Sequence, residues 1–241
     1  MLSSWEKEFA EKVFSQISSS DGPRGSYSEW YSKFAASLLY RASLYSISEG
    51  GVFARVDPSL EADLAKCMEV WRRFLIGELS NPGTNELHMV PIGWFSDVKS
   101  DDTPVYWNRY IKRSVEIDIP HSDSLDFVAV YCKIGPIAFF GHVRNYGKLW
   151  KGTRLSINHG LHSPKFVVLP GNLLDYFFSR AKMAEAMARS VNPNQRVKTD
   201  REVRKNLERM RTSPLFEAMQ ADAERFGVAA ITHAEEDERT D

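Results

Sequence analysis

The sequence predicts an α+β protein in which a central, mostly antiparallel sheet of five or six strands, over residues 87 to 170, is flanked by N-terminal and C-terminal helices. Three observations carry this expectation. Apolar residues recur at helical spacing before residue 80, the period changes to that of extended chain between 87 and 170, and it returns to helical after 172.

In the first helix, Trp5, Phe9, Val13 and Ile17 form the stripe, and Ser18 to Pro23 has loop composition. A second helix carries Trp30, Phe34, Leu38, Ala42 and Tyr45, and stops at Glu49-Gly50-Gly51. For the third, Asp57 is the expected cap and Pro58 the first helical residue, ahead of a stripe of Leu60, Leu64, Cys67, Met68, Trp71 and Leu75. Asn81-Pro82-Gly83 ends it. Ser80 to Glu86 resembles a linker, so the expected single domain of 241 residues has a possible helical subdomain at residues 1 to 80.

Tyr110 to Ile119 reads as a half-buried strand, with Ile111, Val115, Ile117 and Ile119 on one face. Asp126 to Ile134 and Ile137 to Asn145 are apolar runs joined at Gly135-Pro136, which predicts a central hairpin. Thr153 to Asn158 and Lys165 to Leu169 complete the expected sheet. Short connections make it mostly antiparallel.

The last segment returns to helix. Asn172 precedes an apolar helix with Leu174, Phe177, Phe178, Ala181, Ala184 and Ala188. Thr199 and Glu202 have capping-box spacing before Val203, Leu207 and Met210. Ser213-Pro214 starts another helix, and Gly227 stops it.

At 241 residues and 43% hydrophobic, the chain has ample material for a core. Lysine and arginine (31) nearly balance aspartate and glutamate (32), which argues against coating nucleic acid through bulk charge. Two cysteines 65 positions apart in apolar surroundings read as buried thiols in a reducing compartment. The N-terminal residues lack a signal-peptide core, and no apolar run is long enough to span a bilayer. The expectation is a cytoplasmic protein with no membrane partner.

Charge is unevenly distributed. Between Asp126 and Asp175 lie 48 residues without an acid, holding six lysines and arginines and three of the six histidines. Burial in strands accounts for both ends of this gap. It does not account for Gly141 to Pro164, where Arg144, Tyr146, Lys148, Trp150, Lys151 and Arg154 interleave cations with aromatics between glycine turns. Single-stranded nucleic acid favours that mixture, because cations neutralise phosphates and each stacked base contributes about 1 to 3 kcal/mol. His159 and His162 are expected to touch phosphate. A second basic element runs from Arg196 to Arg211, seven cations against three acids, with Arg201, Arg204 and Lys205 as candidate contacts. A solvated helix face explains the same pattern.

Other chemistries find less support. His159 and His162 with His142 lack the further ligands of a familiar zinc motif, so no metal or cofactor is expected. Glu116 and Asp118 share a strand face near Asp123, Asp126 and Lys133, as in metal-dependent nucleases, but the acid-x-lysine element is missing. Cys132 lies within an apolar strand, which does not suit a nucleophile. The leading expectation is a non-catalytic nucleic-acid-binding or accessory protein. The first alternative is a protein-interaction or assembly subunit without nucleic acid, since tyrosine, tryptophan and arginine also dominate interface hot spots. The second is a metal-dependent nuclease or hydrolase.

Overall fold

The structure, a computed structural model, describes residues 2–16, 25–48, 59–145, 150–162 and 166–227. It is α+β, with eight α-helices among the described residues and two antiparallel sheets, one of four strands and one of two. The chain divides into two compact units, residues 1–94 with 115–170, and residues 95–114 with 171–241.

The first unit contains the sheets. Helices α1 (Leu2–Lys12), α2 (Glu29–Ser48) and α3 (Ser59–Leu75) precede β2 (Leu87–Pro91), and β3 (Val115–Asp118), β4 (Phe127–Ile134) and β5 (Ile137–Asn145) complete the larger sheet in the order β2-β5-β4-β3. The short strands β1 (Ser26–Ser28) and β6 (His159–Leu161) pair separately. The Gly135-Pro136 hairpin forms where the sequence places it, and Gly135 adopts a positive φ of 55° to make the turn.

Strand alternation sorts the sheet's residues between two faces. Leu87, Met89, Val130, Cys132, Ile137 and Phe139 join Phe9, Val13, Tyr31, Phe34, Leu39, Leu64 and Trp71 in one core beneath α1, α2 and α3. The helices before residue 80 therefore share their core with the sheet. The opposite face presents Glu116 across from Lys133, Tyr131 across from Phe140, and Ala129 across from His142. It is the more polar face.

The large sheet has fewer strands than expected. Thr153 to Asn158 is not a regular strand: the Thr153 carbonyl accepts from Met89 N and the Leu155 amide donates to Leu87 O, a short clasp on the outer edge of β2. Within the described part of Lys165 to Leu169, Val168 makes only an isolated bridge to Lys151.

The second unit holds α4 (Trp107–Arg113), α5 (Leu173–Arg189), α6 (Pro193–Lys205), α7 (Leu207–Arg211) and α8 (Pro214–Phe226). Helix α4 corrects the strand expected over Tyr110 to Ile119, of which only Val115–Asp118 is extended. Trp107, Tyr110 and Ile111 lie at i, i+3 and i+4, a helical stripe, and all three are buried. Asp222 of α8 settles the choice by accepting the backbone amides of Asn108 and Arg109 in the first turn of α4.

The expected helix caps also divide. Ser213 caps α8, its Oγ accepting from Phe216 N at 3.3 Å, and Gly227 ends that helix at a φ of 85°. Asn172 precedes α5 but makes no side-chain cap bond. Thr199 lies inside α6, where its hydroxyl donates to Gln195 O, because Pro193 already starts that helix. Asp57 and Pro58 lie outside the described residues. No helix among those described is long and apolar enough to cross a membrane.

Candidate functional site

The basic and aromatic segment is only partly a surface. Arg144, on β5, sends Nε to Asp63 Oδ2 of α3 at 2.6 Å, and this hydrogen bond lowers the Asp63 carboxyl from its ordinary pKa. Arg154 Nη1 reaches Glu86 Oε1 at 2.8 Å, leaving its side chain 57% exposed. The carboxylates that meet these cations come from 81 and 68 positions away. Tyr146 and Lys148 lie outside the described residues. Lys151 is exposed, and its backbone pairs with Val168.

Trp150 turns inward. Its ring lies 5.9 Å from Phe127, 5.1 Å from Phe140, 5.2 Å from His88 and 5.1 Å from His142, measured between centroids. The histidine pair also separates. His159 is exposed on β6, whereas His162 is buried between Tyr27 (5.1 Å) and Tyr31 (4.9 Å). Burial lowers the His162 pKa to about 4.

In the second unit, Arg201 and Lys205 are exposed on α6, and Lys205 Nζ pairs with Glu202 at 2.8 Å. The side chain of Arg204 is outside the description. The nuclease-like grouping has an ordinary strand-pair geometry, with Glu116 directly across from Lys133. Lys133 is fully buried and donates to Gly135 O at 2.6 Å, and burial lowers its pKa to about 7 against the opposing pull of Glu116. Asp123 and Asp126 are exposed. Burial likewise raises the Cys132 thiol to about 12, which suits core packing over nucleophilic chemistry.

Beneath Trp150 lies a polar cluster that the sequence reading missed. Glu86, His88 and His142 each offer a ligand atom, all within 4.8 Å of one another. The strand register creates this meeting: His142 N donates to Glu86 O across the β2–β5 pair, and His88 is two residues further along the Glu86 face. The imidazoles stack at 4.2 Å between centroids and both are fully buried. His88 Nδ1 lies 2.9 Å from Thr153 Oγ1, and its Nε2 lies 3.2 Å from Glu86 Oε2. His142 Nδ1 faces Asn145 Nδ2 at 3.1 Å. Burial lowers both histidine pKa values, that of His142 to about 2, with the neighbouring His88 adding to the effect there. The one legible hint was Glu86-x-His88 on an extended segment. His142, 54 positions later, joins it only through the sheet.

A second feature is apolar. A cleft of about 540 Å³ opens between α1, α2 and the strands β3 and β4, lined by Phe9, Phe14, Phe34, Leu38, Tyr45 and Ile117 among others. Phe14 and Tyr45 are exposed, at 40% and 58%. Glu6 and Arg41, also lining it, pair with one another at 2.7 Å. β3 is the terminal strand of its sheet at this cleft.

No family model matches the chain, and neither a curated protein nor a solved structure matches it.

Proposed function

We propose that the protein is a non-catalytic binding module whose partner is another protein, an extended apolar segment of which lies along β3 with a side chain in the α1–α2 cleft. The observation that carries this reading is the cleft itself, about 540 Å³ and lined by aromatic and aliphatic side chains. Its size and lining suit a site that fixes an apolar group. Three further facts support an extended occupant. Ile117, on the terminal strand, contributes to the cleft wall, so alternate side chains of an added strand reach it. Val115 on the same strand is 73% exposed. Glu6 and Arg41 already satisfy one another, which leaves the recognition mainly apolar.

Nucleic-acid binding is the second reading, favoured by the exposure of Lys151, His159 and Arg201. It ranks lower because Arg144 and Arg154 already meet carboxylates and Trp150 packs inward. One experiment separates the two. Random peptides displayed on phage are selected against the wild-type protein, and single- and double-stranded oligonucleotides are titrated in parallel at two salt concentrations. Docking predicts enrichment of peptides with alternating apolar residues, whose binding is lost in Phe14→Asp and Tyr45→Asp. Failure of enrichment, or binding indifferent to both substitutions, would overturn it, and salt-sensitive oligonucleotide binding would install the second reading.

A further inference from the structure

We propose that Glu86, His88 and His142 bind a transition-metal ion of the zinc class, which clasps the Trp150 to Leu155 segment to strands β2 and β5. The three residues bring two buried imidazoles and a half-buried carboxylate together, a donor set suited to zinc and its neighbours rather than to magnesium or calcium.

The arrangement of the remaining polar atoms is what separates this cluster from an incidental meeting. Each candidate ligand has its other polar atom held by a neighbour: Glu86 Oε1 by Arg154 at 2.8 Å, His88 Nδ1 by Thr153 Oγ1 at 2.9 Å, and His142 Nδ1 by the Asn145 amide at 3.1 Å. Such outer contacts orient metal ligands and select the imidazole tautomer. Glu86 Oε2 and His88 Nε2, which face one another at 3.2 Å, and the unpartnered His142 Nε2 are the atoms that turn to the ion. The backbone at His142 is fixed as well, since its carbonyl accepts from Asn85 Nδ2 at 3.0 Å.

Unpartnered atoms supply an independent observation. Among the described residues, His142, fully buried, has no hydrogen-bond partner at Nε2, and Asn145 Oδ1 and Trp150 Nε1 are likewise buried and without partners. Two of these, His142 Nε2 and Trp150 Nε1, carry a cost that no hydrogen bond among the described residues offsets. Turning over the Asn145 amide, whose two ends have nearly the same shape, places Oδ1 to accept from His142 Nδ1–H. Nε2 of His142 then carries the lone pair and is available as a ligand. A bound ion holds tetrahedral donors about 3.4 Å apart, with metal–ligand bonds of ~2.1 Å, so small side-chain rotations draw the three atoms together.

The ion has a structural role in this arrangement. His88 and His142 are fully buried, Trp150 packs against both rings, and Thr153 joins the outer contacts while its backbone bridges to β2. A water fills the remaining coordination place. Metal binding therefore ties the start of the Trp150–Leu155 segment to the sheet independently of any partner at the apolar cleft.

The test uses full-length protein stripped with a chelator and titrated with Co(II), then with Zn(II). The proposal expects one equivalent of Co(II) to give visible d–d absorption, displacement of that signal by Zn(II), a melting temperature that rises with Zn(II), and no response to Mg(II). Binding is lost in His88→Ala and His142→Ala variants that keep the wild-type circular dichroism. Asn145→Ala and Arg154→Gln, which leave the ligands in place, weaken it by about 10- to 100-fold. Absence of Co(II) and Zn(II) binding by the wild type overturns the proposal, as does stoichiometric binding retained in both folded histidine variants. If neither histidine variant folds, unchanged affinity in both Asn145→Ala and Arg154→Gln overturns it, and weakened affinity upholds it.

Discussion

Arg109 of α4 and Asp222 of α8 form a buried ion pair, with Arg109 Nε 2.8 Å from Asp222 Oδ2 and Asp222 fully inaccessible to solvent. The same carboxylate also accepts from Asn108 N, Asn108 Nδ2 and Arg109 N. One side chain thus closes the first turn of α4 and neutralises a guanidinium. Asp222→Ala removes this shared acceptor from the guanidinium and from three amide donors, and is expected to cost about 3 to 5 kcal/mol. Urea denaturation followed by circular dichroism measures it; a loss under about 1 kcal/mol would show that Asp222 does not hold α4 to α8.

Gly141 of β5 tests the packing of the helix-covered sheet face. A Cβ at this position would collide with the Trp71 indole and approach Leu39 Cδ1 at 3.1 Å. The indole is anchored because Nε1 donates to Asn85 O at 3.1 Å. Gly141→Ala is expected to destabilise by about 1 to 3 kcal/mol through overpacking. Gly171→Ala, where an added Cβ meets nothing within 4 Å, should leave the melting temperature nearly unchanged. Equal effects of the two substitutions would contradict this account.

His162 predicts an acid-sensitive component of stability. Its folded pKa of about 4 lies below the ordinary 6.5, so the unfolded chain binds a proton more readily through that window. Stability from this group is therefore lost as pH falls from about 6.5 towards 4. His162→Gln should flatten the corresponding slope in urea midpoints measured from pH 7 to pH 4. An unchanged slope would remove His162 as the source.

The cleft separates folding from binding. Phe34, 3% exposed, forms part of its floor, whereas Tyr45 is 58% exposed at its rim. Phe34→Ala should cost about 3 to 5 kcal/mol by leaving a cavity. Tyr45→Ser is expected to shift the melting temperature little while weakening capture of apolar peptides. Comparable destabilisation by the two would place Tyr45 in the core and count against an open cleft.

Periodicity and punctuation determined much of this protein's organisation. The α2 helix, the Gly135 hairpin, the Ser213 cap and the Gly227 stop depend on neighbours within a few residues, and such signals are legible along a chain. The tertiary structure decided the rest. Residues 110 to 113 fit a strand by alternation and a helix by their buried stripe, and Asp222, more than 100 positions later, provides the acceptor for the helix. In the same way, Arg144 and Arg154 have no acid near them in sequence, yet folding brings Asp63 and Glu86 to them. The Glu86–His88–His142 cluster likewise exists only through the β2–β5 register. Local sequence specifies backbone conformation because those interactions span one turn or one hairpin. Charge pairing and ligand convergence join distant segments, so the register and packing of the whole fold determine them.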